Sequence, residues 1–126
     1  MSKPSRADVE KLKHLARYLI ERERAVIHFD YQSAPSQWTV WVDSDWAGCK
    51  RTRKSTSGGL VMFGSHVIRS WSATQNVIAL SSGEAEYYSM VKGASMCMGV
   101  KALGNDMNVI IGSIDVNTDA SAEEGD

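Results

Sequence analysis

Three acidic residues occupy positions from which they could act together. Asp43 ends an apolar run, Trp38-Thr-Val-Trp-Val-Asp43. Asp119 ends a second run of strand character, and Glu86 falls in the first turns of a long helical segment. If the two strands lie side by side and parallel, both aspartates reach one edge of the sheet, outside the carboxyl ends of the strands where open sheets bind ligands. Converging carboxylates repel one another unless a cation holds them together. Hard oxygen donors suit Mg²⁺ or Mn²⁺. Two such ions roughly 4 Å apart can activate a water and stabilise the leaving oxygen of a phosphodiester. Taken singly, a strand-end aspartate usually caps a turn and a helix glutamate is usually solvated. Only the set carries the chemistry.

Two glutamates compete for the helix position. Ser81-Ser-Gly-Glu84 matches a capping box, which would occupy Glu84 with the backbone at Ser81. Glu86 is spaced helically with Met90, Gly93 and Cys97, at the border of the stripe that should face the sheet. Glu86 is therefore the expected ligand; the choice weakens if Ser82 is the cap. Asp45 and Asp115 are rival carboxylates. Asp45 lies past the strand, and Asp115 is expected on the other face of its own strand.

Directly after Asp43 comes a cationic loop. Lys50, Arg51, Arg53 and Lys54 cluster there, and Ser55, Thr56 and Ser57 add hydroxyls. These side-chain types contact phosphate oxygens, although taken alone such a loop is more often merely solvated. Nothing in it reads bases. Trp46 and Trp71 could pack on sugars or bases, but tryptophans at such positions more often pack in the core. His14, His28 and His66 are scattered. Met90, Met96, Met98 and Met107 read as core fillers.

The elements that must position these groups can be read from periodicity. Residues 5–24 form a helix with Val9, Leu12, Leu15, Ala16, Leu19 and Ile20 on one stripe, capped by Ser5 or Asp8. Residues 25–31 alternate like a strand, and a turn containing Pro35 follows. Strands are expected at 38–43, 58–64 and 66–72, the last two joined at Gly64-Ser65. A helix then runs from Ser81 or Ser82 to about Leu103, with Gly104 as its stop. A last strand, over 114–118, leads to Asp119. The order gives an α/β chain with a mixed sheet and a crossing helix (α+β in layout).

At 126 residues and a net charge of −1, the chain is one domain at most and no polycation. A sequence-specific DNA-binding domain is a weak reading, because no arginine-rich recognition helix is present. Cys49 and Cys97 have neither disulfide-framework nor metal-ligand spacing, and read as reduced thiols of an intracellular protein, cytoplasmic or nuclear. No apolar run reaches membrane-spanning length.

The stretches "DSDWAGCKRTRKSTSGGLVMFG", "VIRSWSATQNVIALSSGEAEYYSM" and "NTDAS" resemble the ribonuclease H domain of copia-type retrotransposon Pol polyproteins. The match runs nearly unbroken from Asp43 to Tyr88. "LKHLARYL" also resembles the helix linking the reverse transcriptase region to ribonuclease H. The resemblance implies a ribonuclease H-like fold and a nuclease that hydrolyses the RNA strand of RNA–DNA hybrids with two Mg²⁺. Asp43, Glu86 and Asp119 would be its catalytic and metal-holding acids. Lys50, Arg51, Arg53, Lys54 and Ser55 would meet the hybrid backbone, told apart from DNA by shape and 2′-hydroxyls. The partners implied are the hybrid and the adjoining reverse transcriptase region. On this reading residues 1–37 are a linker helix and strand, 38–122 a partial ribonuclease H-like domain and 123–126 an acidic tail. The family's domain continues past the last aspartate and supplies a fourth acid, whereas "AEEGD" departs from it. The implied fold is thus incomplete at the C-terminus. The alternative is an inactive retroelement remnant that binds nucleic acid or protein at most.

Overall fold

The computed structural model describes residues 4–118, which divide into two compact units between Asp30 and Tyr31. In the first unit α1 spans Arg6–Ile20. Its start follows from a reciprocal cap: the Asp8 N–H donates to Ser5 Oγ, and the Ser5 N–H donates to the Asp8 carboxylate at 2.8 Å. The Ser5 hydroxyl, which donates to the same carboxylate at 2.7 Å, and then the Ser5 N–H hold the Asp8 carboxyl below its ordinary range. The helix stops short of the expected Arg24, with Glu21 as cap, its N–H bonded to Leu19 O. The expected strand over 25–31 is absent. Alternation is only a side-chain pattern and does not by itself make a strand.

The second unit holds β1 (Gln37–Asp45), β2 (Thr56–Phe63), β3 (His66–Thr74), α2 (Ser82–Asp106) and β4 (Ser113–Thr118). The sheet runs β3-β2-β1-β4. Strands β1 and β2 are antiparallel, as are β2 and β3, while β4 lies parallel to β1, as expected. A mixed four-stranded sheet with a crossing helix is an α+β fold compatible with the ribonuclease H-like architecture. The β2–β3 turn uses Gly64 at φ 60°, a left-handed conformation that glycine adopts without steric cost.

The core lies between α2 and one face of the sheet. Trp38, Val40 and Val42 of β1 are buried with Val61 and Cys97. By the pleat, the intervening Thr39, Trp41 and Asp43 leave on the opposite face, and Trp41 is exposed there. On α2 the buried positions are Ala85, Ser89, Gly93, Cys97 and Gly104. Small residues at i, i+4 spacing let the helix lie close to the strands. A side chain at Gly93 would strike Val42, with Val40 Cγ1 at 3.1 Å. Trp71 lies across Gly59 on the same face and approaches Gly93.

Gly104 does not end the helix. It sits inside the last turn because Trp38 packs against it, 3.2 Å from where a Cβ would stand. The stop is Asn108, at φ 63°. Asn108 N–H donates to Asn105 O and Val109 N–H to Gly104 O at 2.8 Å, the pairing of a Schellman motif. Met90 packs on the core as expected, but Met98 and Met107 are exposed.

Two glycine substitutions in α2 should therefore act with opposite sign. Gly99 has open space where a Cβ would go, so Gly99→Ala should stabilise by up to about 1 kcal/mol through helix propensity. Gly93→Ala should destabilise by about 1–2 kcal/mol despite the same propensity gain, because overpacking outweighs it. Urea denaturation of the two variants reads the difference directly.

Candidate functional site

The site is built where β1 ends under the first turns of α2. Ser81 caps α2, accepting the Glu84 N–H at 3.1 Å. Glu84 folds back as expected, but onto the N–H of Leu80 at 2.7 Å rather than that of Ser81, and it also accepts from the Tyr88 hydroxyl. That bond and the Glu84 charge push the Tyr88 hydroxyl above its ordinary value. Glu84 is thus committed. Glu86, half-buried beside the sheet-facing stripe, has no hydrogen-bond or ion-pair partner among the described residues.

Two contacts that periodicity did not reveal fix α2 to this end of the sheet. Ser89 Oγ donates to the main-chain oxygen of Asp43 at 2.7 Å. Gln75, buried just past β3, donates through Nε2 to Ser57 Oγ at 2.9 Å and to Ala85 O at 2.8 Å, while its own N–H bonds Ser55 O. One side chain so joins β2 and the first helical turn. Its place in "SATQNV", a polar residue directly after a strand, is a turn signal as much as a clamp, so spacing could not have singled it out.

Asp43 pairs with Gly58 across the β1–β2 ladder. Its carboxylate is exposed on the face that α2 leaves open and accepts the Ser44 N–H at 2.7 Å. The fold therefore brings Asp43 and the Glu86 position to one end of β1, with the strand between the Asp43 carboxylate and the helix. The described β1–β4 ladder ends with Val42 opposite Thr118; Asp119 lies outside the described residues. Neither described carboxylate has a cationic side chain as partner. They suit a hard divalent ion in kind but not in number: among the described residues no group of three His, Cys, Asp or Glu side chains is placed to hold a metal.

The rival acids are engaged elsewhere. The Asp45 carboxylate fills the space over Gly48. Asp115 is opposite Thr39, so it shares the sheet face of Asp43 rather than lying on the other one. What removes it from the site is distance, four residues along the ladder or roughly 13 Å, and its bond from Asn117 at 3.0 Å.

The cationic loop is closed at its base, where Ala47 N–H donates to Ser55 Oγ at 3.0 Å. Within it Arg53 N–H donates to Cys49 O at 2.7 Å. Lys50, Arg51 and Arg53 are exposed and Lys54 half-buried. Ser55, expected to join them at the surface as a phosphate donor, is fully buried; its hydroxyl is the bolt of the loop. Trp71 is core-facing, whereas Trp46 is half exposed. The Thr52 hydroxyl, then the Thr52 and Arg51 backbone, bond the Cys49 sulfur and hold its thiol below the ordinary value, while burial pushes the Cys97 thiol up. Among the described residues no helix is long and apolar enough to cross a membrane.

No protein-family model matches the sequence. It is 38% identical over 98 residues to an uncharacterised mitochondrial protein of Arabidopsis thaliana, covering 75% of this chain and 39% of that one. It is 32% identical over 110 residues to the retrovirus-related Pol polyprotein from transposon RE1 of the same plant, covering 86% of this chain and 7% of the polyprotein. Secreted RxLR effector protein 161 of Plasmopara viticola is 32% identical over 89 residues, 71% of this chain and 62% of the effector. The chain thus spans well under half the length of the first two relatives, and the similarities are consistent with a retroelement origin.

The two thiols should separate cleanly. A thiol-reactive reagent near neutral pH should modify the exposed Cys49 rapidly, its rate rising with pH from a lower onset than a free cysteine shows, because the thiolate is the nucleophile. Cys97 should react only on unfolding. Mass spectrometry with and without denaturant distinguishes the sites.

Proposed function

We propose that this chain is a ribonuclease H-type domain of a copia-like retroelement polyprotein, acting on the RNA strand of RNA–DNA hybrids. The observation that carries the reading is the joint placement of Asp43, Glu86 and the cationic loop. Asp43 lies two residues before the end of β1, α2 crosses that end with Glu86, and Lys50, Arg51 and Arg53 stand exposed a few residues on. The similarity to a retroelement Pol polyprotein supports it.

On this reading Asp43 and Glu86, with Asp119, are the residues that would hold Mg²⁺ or Mn²⁺. Such an ion, when bound, supplies Lewis acidity and lowers the pKa of its water. The rest falls to the chain. The lysines and arginines neutralise backbone phosphates and bring the hybrid to the sheet edge without reading sequence. The Ser89 and Gln75 bonds keep the end of β1 and the first turn of α2 in fixed register while substrate is held. The adjoining reverse transcriptase region is the partner this reading assigns on the N-terminal side.

Incubation of a labelled RNA–DNA hybrid with the folded protein in Mg²⁺, and separately in Mn²⁺, tests the proposal. RNA-strand cleavage that Asp43→Asn or Glu86→Gln lowers by roughly 100-fold or more is expected, as for loss of a group acting on developing charge. Absence of cleavage by the folded protein in both metals would favour the inactive-remnant alternative.

A further inference from the structure

Trp46 is the first residue after β1, and half of its surface faces solvent, 48%. A tryptophan this exposed is usually mobile, yet its ring is anchored. The indole N–H donates to Ala79 O at 3.1 Å, and Ala79 is itself buried. The next residue, Ala47, is buried at φ 52°, a left-handed conformation held by its N–H bond to Ser55 Oγ. Anchored at its polar edge, the ring presents apolar surface to water.

The surroundings name the kind of ligand. Lys50 is four residues from Trp46, at most about 14 Å along an extended chain, which is about four steps of a nucleic acid strand at 3.4 Å rise. Lys50, Arg51 and Arg53 are exposed in the same closed loop. A fixed aromatic face with cations a few nucleotides away is the pairing that binds single strands: cations track the phosphates and the ring stacks on a base, whichever base it is. An apolar protein partner would not require the cations, and a phosphate backbone alone would not require the ring.

We infer that Trp46 is a stacking platform for an unpaired nucleobase, seated next to a loop that holds the same strand by its phosphates. This inference rests on the nucleic-acid reading above and adds a single-strand contact to it. It assigns Trp46 a binding role without placing it among the catalytic groups.

The test compares binding of oligo-dT with binding of an abasic oligonucleotide of equal length and charge, by fluorescence anisotropy over a range of salt. The wild-type protein should prefer oligo-dT by about 10-fold, the scale of one stacked base. Trp46→Ala should erase that preference while leaving abasic binding and the slope of affinity against salt unchanged. Trp46→Phe, which keeps a ring but loses the bond to Ala79, should retain part of the preference and serves if the alanine variant does not fold. An equal preference in wild type and Trp46→Ala would overturn the inference. So would wild-type protein that binds both oligonucleotides equally, which would leave the cationic loop as a phosphate binder. Failure to bind either oligonucleotide or the hybrid would overturn this inference and the functional reading together.

Discussion

The close approach of α2 to β1 is the constraint on which the rest depends. The helix can sit against Val40 and Val42 only because Gly93 has no side chain, and Trp71 can lie flat beside them only because Gly59 has none. Burial of Val40, Val42, Val61 and Cys97 follows from that seat. At about 25 cal/mol per Å² of apolar surface, burial of this cluster contributes to the stability of the second unit. The placement of the acids follows too. With Gly93 over Val42, the first turns of α2 necessarily overhang the end of β1, where Ser89 meets Asp43 O.

Polar bonds then convert a packed interface into a defined site. Ser89, Gln75 and Ser55 are buried hydrogen-bonding side chains that tie α2, β2 and the base of the loop to fixed backbone atoms. Buried groups of this kind specify geometry, because a displaced partner would leave an unsatisfied atom. The exposed elements, Trp46 and the cations of residues 50–53, are set on this rigid base rather than on a free loop.

Much of this was legible in the sequence. The four strands of the sheet, the long helix and the parallel β1–β4 pair could be read from alternation, from the Gly64-Ser65 turn and from the need for a crossover. That Glu84 is taken up at the start of α2 was legible because the cap at Ser81 could be recognised. The illegible parts are tertiary. Ser55 looked like a surface hydroxyl in a cationic loop, but closing that loop takes an acceptor for Ala47 N–H. Gly104 looked like a stop, but a Trp38 ring from a distant strand claims its missing side chain. The 25–31 segment alternates but is not a strand. Asp115 was assigned to the wrong face although positions 115 and 119 are four apart and share parity in a regular strand, and the register sets Asp115 opposite Thr39.

The proposed function requires that the end of β1 and the first turns of α2 take up a divalent cation together. Paramagnetic broadening by Mn²⁺, followed residue by residue in amide NMR spectra, tests it most directly. Broadening should appear first at the amides around Asp43 and Glu86, and Asp43→Asn should abolish it there. Broadening that spares both positions, or that Asp43→Asn leaves unchanged, would contradict the claim.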